Sequence, residues 1–351
     1  MANFYNALPA KELTEFTRLL LAAEDFPQNQ GSLRRWFPPE LNETIKYRFR
    51  TGTNRSYTAA APFRGFDTPS PIGTRPGRGR VEGQLAPISM QFPLRELDIL
   101  EQQAMERAGA EFAEMLRGDV YDDVEAGMRA IMNRFELVYR DFLVSGLAVI
   151  NDRNLQLVID PGRSAGRAST VAIGWGTNPT TAVPITNERA VVSTMKNGEG
   201  MSASDLVVLT NEATWAKWCA TTQVRDAYQS NRTLGILSEE QGRQVRRELS
   251  LPDVEIIDRI IAPLSGVPEQ LIPDNYWLYV PKTQAIGTTQ FGVPAMASNP
   301  KLDIVRDDRP GPLAYQTIEE GEPYGITTHV QALGVPVMQD PDSTYALDVE
   351  P

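Results

Sequence analysis

The sequence predicts an α+β protein built on one long helix, and three observations carry that expectation. Val120, Val124, Met128, Ile131, Phe135, Val138 and Phe142 recur at steps of three or four, which places them on one face of a helix. Short β-rich runs follow that helix and return near the C-terminus, with an alternation of helix and strand between them. Ahead of it, a stretch rich in Gly, Pro, Ser, Thr and Arg has no helical period at all.

The long helix is expected over about 119–145, roughly 40 Å at ~1.5 Å per residue. Asp119 is a good N-cap, with Asp122 and Asp123 in the first turn and Gly146 as a left-handed stop. The stripe Val124, Met128, Ile131, Phe135, Val138 and Phe142 is the candidate core of this spine. The region from Glu96 to Arg117 reads as a second helix leading into it. From Glu96 to Asp141 twelve acids stand against five arginines, so much of this surface is an acidic, solvated face.

At the N-terminus an amphipathic helix is expected from Ala10 to Ala23, with Leu13, Phe16, Leu20 and Leu21 on one side. The chain then breaks up around Pro27, Gly31, Pro38 and Pro39. Arg34, Arg35, Trp36 and Phe37 lie there, and they read as an exposed aromatic and basic contact cluster on an arm, residues 1–46. Two extended stretches, IKYRFR and GRVEGQLAPISMQF, flank a long tip. Between Arg34 and Arg80 ten Lys or Arg face three acids, a local +7 in a chain of net charge −11. A structureless loop of that length is unusual inside a compact domain. A hairpin arm whose Arg48, Arg50, Arg55, Arg64, Arg75, Arg78 and Arg80 reach for an acidic partner accounts for it better than a linker does.

Beyond the spine, strands are expected at 147–150, 155–160, 169–175, 206–210, 254–258 and 276–280. Helices are expected at about Asn187–Met195, at 211–219, and from a Ser238/Gln241 capping box to about Leu249. TTHVQAL, PVMQ and TYALDV close the chain as further strands.

Composition removes several function classes. Hydrophobic residues make up 41% and charged residues 23%, normal for a folded protein. No run approaches a membrane span, and the first residues lack a basic-then-apolar signal, so export is not expected. The net charge has the wrong sign for a general nucleic-acid binder. One cysteine, Cys219, and one histidine, His329, supply neither a disulfide nor an ordinary zinc site. His329 sits in an alternating run and reads as structural. Gly198 to Ala203 matches G-x-G-x-x-A only as text, because it leaves a helix and enters a strand, the reverse of a dinucleotide site. No catalytic, metal-binding or cofactor-binding residue emerges.

The order of parts resembles that of a tailed-phage major capsid protein. LRGDVYDDVEAGMRAIMNRFELVYRDFLVSGLAVI (116–150) resembles the spine-helix region of the lambda-type major capsid protein E family. Ile272-Pro273-Asp274-Asn275 before a strand and Thr283-Gln284-Ala285 after it are similar to a stretch late in that family's insertion. VPVMQDPDSTYALDVE is similar to its C-terminal strand with an Asp-Pro-Asp turn, here Asp340-Pro341-Asp342. Residue-level likeness is confined to about 96–150 and 270–349.

The resemblance implies an HK97-like fold: N-arm 1–46, E-loop 47–93, P domain 94–187 with 313–351, and A domain 188–312. It implies a structural role in which copies form hexamers and pentamers of an icosahedral shell around double-stranded DNA. A portal at one vertex is implied as a partner, as is a separate scaffolding protein, since no long helical extension precedes the arm. There is room for a decoration protein, and none for a cofactor, a membrane or sequence-specific DNA contacts. The site of action is the virion, after assembly in the host cytoplasm. Some shells of this fold lock themselves by a lysine–asparagine bond from the E-loop. Here no lysine lies between Lys46 and Lys196, and arginine stays protonated and cannot serve as the amine. The rival expectations are an encapsulin-like compartment with protein cargo and a soluble α/β carboxylate enzyme with 47–93 as a lid.

Overall fold

The structure is a computed structural model that describes residues 8–23, 32–51, 79–95, 99–100, 111–152, 155–228, 237–262, 266–299, 302, 311–319 and 325–351. It begins with helix α1 (Ala10–Ala22) and a 3-10 turn (Leu33–Trp36). Strands β1 (Pro39–Leu41), β2 (Lys46–Thr51), β3 (Gly79–Gln84) and β4 (Ala86–Leu94) lead to the spine helix α2 (Glu111–Val144). A hairpin of β5 (Ala148–Asp152) and β6 (Leu155–Ile159) follows, then β7 (Ala168–Thr170) and α3 (Pro184–Glu199). Next come β8 (Leu206–Thr210), α4 (Glu212–Ala220), α5 (Thr222–Tyr228) and α6 (Glu239–Glu248). The chain continues through β9 (Asp253–Ile256), β10 (Ile260–Ile261), β11 (Glu269–Gln270), β12 (Tyr276–Pro281) and β13 (Gly287–Gly292). It ends with β14 (Leu313–Glu319), β15 (Gly325–Met338) and β16 (Tyr345–Asp348).

Spine helix α2 has 34 residues, about 50 Å at ~1.5 Å each. It already includes Glu111, two turns before the expected Asp119, which therefore lies inside the helix and caps nothing. EFAEMLR, residues 111–117, is made of good helix formers apart from Phe112, and the helix runs on through Gly118. Its C-terminal end matches expectation. Gly146 takes φ +81° and its N–H donates to Phe142 O at 3.1 Å. Arg163, unnoticed in the sequence, donates to Leu143 O at 2.8 Å and Val144 O at 3.0 Å. Val124, Met128, Ile131, Phe135, Val138 and Phe142 are all buried, and Val120 is half-buried. The stripe packs on β15 and β4, and Gly127 lets them close in. A Cβ there would stand 2.7 Å from Val330 Cγ2.

β15 is the axis of a five-stranded sheet. Antiparallel β4 runs along one side of it, from Leu94 opposite Ile326 to Ala86 opposite Gly334. Antiparallel β14 and then β13 pair with the other side, and β1 joins β13 in parallel. Edge strand β14 is not left open. Helix α1 covers it: Thr14 Oγ1 donates to Ala314 O at 3.1 Å and Thr17 Oγ1 to Pro312 O at 2.8 Å. Side-chain hydroxyls from a helix thus take the place of a further strand.

A second five-stranded sheet has the order β7-β16-β12-β8-β9. Side chains alternate across it. Leu278, Val280, Val207 and Leu209 join the spine core, while Trp277, Tyr279, Leu206 and Val208 join a second core under α3, α4 and α6. Both faces are buried, so β8 and β12 read as continuous apolar runs. The two sheets cut across the expected division of the chain. β13, inside the range 188–312, pairs with β15, whereas β16 and β7, outside it, pair in the second sheet. The run 169–175 is strand only to Thr170. Val171 and Trp175 N–H still bond to Asp348 O and Val349 O, but with Gly174 between them no ladder forms.

Candidate assembly interface

The hairpin root is formed by β2 and β3, paired from Lys46 opposite Gln84 to Thr51 opposite Gly79. Period-two alternation sorts its faces. Tyr47 is buried and Phe49 and Val81 are half-buried, with the Tyr47 and Phe49 rings 5.9 Å apart. The other face carries Lys46, Arg48, Arg80 and Glu82. Arg48 and Arg80 both reach Glu82, at 3.2 and 3.6 Å, and all three side chains are more than half exposed. Arg50 stands opposite Arg80 in register. One carboxylate therefore serves a strongly basic ribbon, which keeps an excess of positive charge. Arg55, Arg64, Arg75 and Arg78 lie outside the described residues.

The arm cluster differs from expectation. Trp36 and Phe37 are buried, not exposed, and meet the rest of their own chain. Phe37 stacks on Tyr139 with ring centroids 4.4 Å apart, and Trp36 Nε1 donates to Pro281 O at 2.7 Å. Arg34 donates to Leu21 O, while Arg35 pairs with Glu255 and lies 3.9 Å over the Trp36 ring. The sequence suggested exposure because prolines and glycine broke up the segment. Contacts with the spine and with Pro281, each about a hundred residues or more away, decide the matter. This cluster is an internal anchor.

The acidic face of the spine is partly neutralised. Arg129 pairs with Glu125, Arg134 with Asp152 at 2.7 Å, and Arg140 with Asp141 at 2.8 Å and Glu269 at 2.6 Å. Among the described residues no ion pair reaches Asp119, Asp122 or Asp123. Burial, then the neighbouring Asp119 and Asp122, push the Asp123 carboxyl above the usual carboxylate range. Negative charge therefore gathers at Asp119, Asp122 and Asp123, in the N-terminal half of the described spine.

Three buried carboxylates escaped the sequence reading: Glu199, which pairs with Arg167 at 2.7 Å, and two that tie distant elements together. Glu136, 1% exposed, accepts from Ser32 Oγ and from Leu33 N–H at 2.9 Å, so the spine caps the turn that carries Trp36. Burial raises its pKa, against the pull of those hydrogen bonds and of Arg259. Glu188, fully buried, accepts both guanidinium nitrogens of Arg246 at 2.8 Å, Trp218 Nε1 at 2.7 Å and Trp277 Nε1 at 3.2 Å. Glu136 and Glu188 each left a signal. Met132, Glu136, Tyr139 and Leu143, and likewise Ile185, Glu188, Val191 and Met195, place an acid inside an apolar helical stripe.

His329 has a structural environment: Nε2 lies 2.8 Å from Thr317 Oγ1, the ring stacks on Tyr315 at 5.0 Å, and burial lowers its pKa. Burial pushes the Cys219 thiol up to about 12, so it stays protonated at neutral pH. Among the described residues no group of three His, Cys, Asp or Glu is placed to hold a metal ion, and no helix is long and apolar enough to cross a membrane.

Solved structures share this architecture. A prophage protein of E. coli CFT073, described as a capsid protein, superposes with a TM-score of 0.62 at 12% identity, covering 98% of this chain and 100% of its own. A phage-related protein of Bordetella bronchiseptica RB50 gives a TM-score of 0.56 at 9% identity, with 98% of each chain covered. No curated protein sequence matches. The spine, the hairpin and the two sheets together are the HK97-like fold of phage capsid subunits. The family described as phage major capsid protein E matches residues 18–349, and the chain belongs to that family. Its role is structural: it is a subunit that self-assembles into the shell of a virion.

Proposed function

We propose that copies of this chain form hexamers and pentamers that close into an icosahedral shell around phage double-stranded DNA. The family match across nearly the whole chain carries this reading. A portal fills one vertex, and a separate scaffolding protein guides assembly in the host cytoplasm. No catalysis is involved. The division into N-arm 1–46, E-loop 47–93, P domain and A domain describes how the chain is deployed, with strands exchanged between the two sheets at the domain border. A net charge of −11 keeps the shell from sticking to DNA that must enter and leave. Negative-stain microscopy of the expressed protein, with and without its scaffold, tests the reading. Megadalton particles are expected, and their DNA content in phage lysates separates a virion from a compartment for protein cargo. A compact monomer under all conditions would overturn the reading.

The basic hairpin is the natural intersubunit element. Arg48, Arg50, Arg55, Arg64, Arg75, Arg78 and Arg80 face acids of a neighbour, with the spine acids Asp119, Asp122 and Asp123 as their counterpart. Exposed pairs of this kind are screened within ~10 Å at 0.1 M salt. Shell yield is therefore expected to fall as salt rises, and to fall again when Arg75, Arg78 and Arg80 are replaced by Ser, with the isolated subunit still folded. Yield insensitive to both changes would remove the electrostatic part of the reading.

The lysine-free E-loop gives a second expectation. Particles boiled in detergent release the protein as one band at 38.9 kDa. A ladder of covalent pentamers and hexamers that survives reductant would refute this and point to Lys46, at the root of the loop.

A further inference from the structure

Three residues from distant parts of the chain converge beside the second core. Lys217, on α4, donates from Nζ to Asn275 Oδ1 at 2.5 Å, and Glu350 Oε1 lies 3.8 Å from the same nitrogen. Lysine carries donors only, so the atom it faces is the amide oxygen and not the amide nitrogen. With a C=O bond of about 1.23 Å, Asn275 Cγ stands within about 3.7 Å of Nζ. A reacting pair needs roughly 3–3.5 Å. Asn275 is fixed at φ +71°: its N–H donates to Thr214 Oγ1 at 2.9 Å, and its C=O accepts from Val349 N–H at 2.8 Å. Glu350 is fixed as well. Gly176 and Thr177 N–H donate to Oε1 at 2.5 and 3.2 Å, and Thr177 Oγ1 donates to Oε2 at 2.6 Å. Burial opposes its charge, but those hydrogen bonds and Lys217 hold its carboxyl below the usual carboxylate range, so it stands ionised as a proton acceptor. Gly176 lets the group close in, since a Cβ there would stand 2.9 Å from Lys217 Cδ. Trp175, Pro179, Ala216 and Ala220 supply apolar walls. Lys282 makes the contrast: it faces a carboxylate, Asp253, at 2.6 Å, with both side chains more than half exposed and no amide to attack.

We propose that Lys217 and Asn275 join in an amide bond within one chain, with Glu350 moving the proton. Glu350 takes a proton from the Lys217 ammonium, and the freed amine attacks Asn275 Cγ. The Nζ–Cγ bond forms and the Cγ–Nδ2 bond breaks. Glu350 returns its proton to Nδ2, which leaves as ammonia together with the second proton shed by Nζ. One amide replaces another, so the step needs no oxidant, reductant or cofactor. Among the described residues no hydrogen bond holds Nδ2 back. The step occurs once in each chain and is not a turnover activity. It ties α4 to the turn before β12, across 58 positions of sequence, and restricts the unfolded chain as a disulfide does. Both residues belong to one chain, so the bond joins no subunits and the single-band expectation stands. It does not depend on the shell reading.

Mass spectrometry of the full chain tests it. After folding and incubation at neutral pH, the denatured protein is expected to be lighter than its sequence by one ammonia, about 17 Da. Tryptic digestion should give a branched peptide that joins the segment around Lys217 to the segment around Asn275. The branched peptide decides the matter, because a succinimide at another asparagine gives the same mass loss without it. Lys217→Arg keeps the charge and can still donate to Asn275, but it cannot form the bond, so it should fold and show the full mass. Indole fluorescence of the second core confirms that this variant is folded. Glu350→Gln should slow the mass loss at least tenfold, and a variant that cross-links at the parent's rate would overturn the role given to Glu350. A parent chain that keeps its full mass, with Lys217 still open to trypsin, would overturn the bond itself.

Discussion

Phe135→Ala is expected to destabilise the isolated subunit by about 3–5 kcal/mol, the range for truncating a buried phenylalanine. Phe135 is 3% exposed at the middle of the spine stripe, and its ring meets Phe291 of β13 edge to face at 5.8 Å and 70°. The spine cannot collapse around the lost ring. Its stripe is held straight by the helical backbone, and the facing sheet is fixed by strands on both sides of β15. The substitution therefore leaves a cavity between α2 and β13 and should yield insoluble protein or no capsomers. Phe135→Leu, which keeps most of the volume, should lose much less. Val149→Ala on the exposed face of β5 is the control, expected within about 0.5 kcal/mol of the parent. Urea midpoints of the three variants rank them, and a soluble, assembling Phe135→Ala subunit would show that the stripe does not hold the fold.

What the sequence could reveal follows from the range of the forces involved. The spine stripe was legible because helical periodicity is local, and so was its end, because Gly146 adopts a backbone angle that other residues resist. Its start was not. Asp119 is a good cap by type, yet six of the eight residues before it are good helix formers, and no rule of residue type forces the later start. β15 was read as two runs, TTHVQAL and PVMQ, separated by Gly334-Val335 and restarting at Pro336, although the strand continues unbroken. Strand β4 ends opposite Gly334, so beyond that point one side of β15 no longer needs a donor and proline does little harm. Burial of Trp36 and Phe37 depends on Tyr139 and Pro281, partners that no local pattern indicates. The charge asymmetry was legible by counting alone: a basic hairpin and an acidic spine. The packing of α1 on α2, where the Phe16 and Tyr121 rings meet edge to face, was hidden because it joins residues a hundred positions apart.

The second core gives the other large effect. Glu188→Ala is expected to lose about 3–5 kcal/mol, because removing one partner of a buried ion pair strands the other. Arg246 is 2% exposed, and without Glu188 its remaining hydrogen-bond acceptor among the described residues is Pro252 O, at 2.7 and 3.0 Å. The indole N–H groups of Trp218 and Trp277 lose their acceptor as well. Glu188→Gln should cost less, since one oxygen remains for the indoles and the cation loses only part of its compensation. Glu188→Leu combined with Arg246→Met separates the two contributions. The double variant removes both charges, so it should recover part of the loss of Glu188→Ala, but not all of it, with the indoles still unpaired. Trp175, Trp215, Trp218 and Trp277 all lie in this core, so indole fluorescence reports its unfolding directly. Glu188→Ala within about 1 kcal/mol of the parent would show that water or rearrangement compensates Arg246, and that the ion pair does not set the stability of this core.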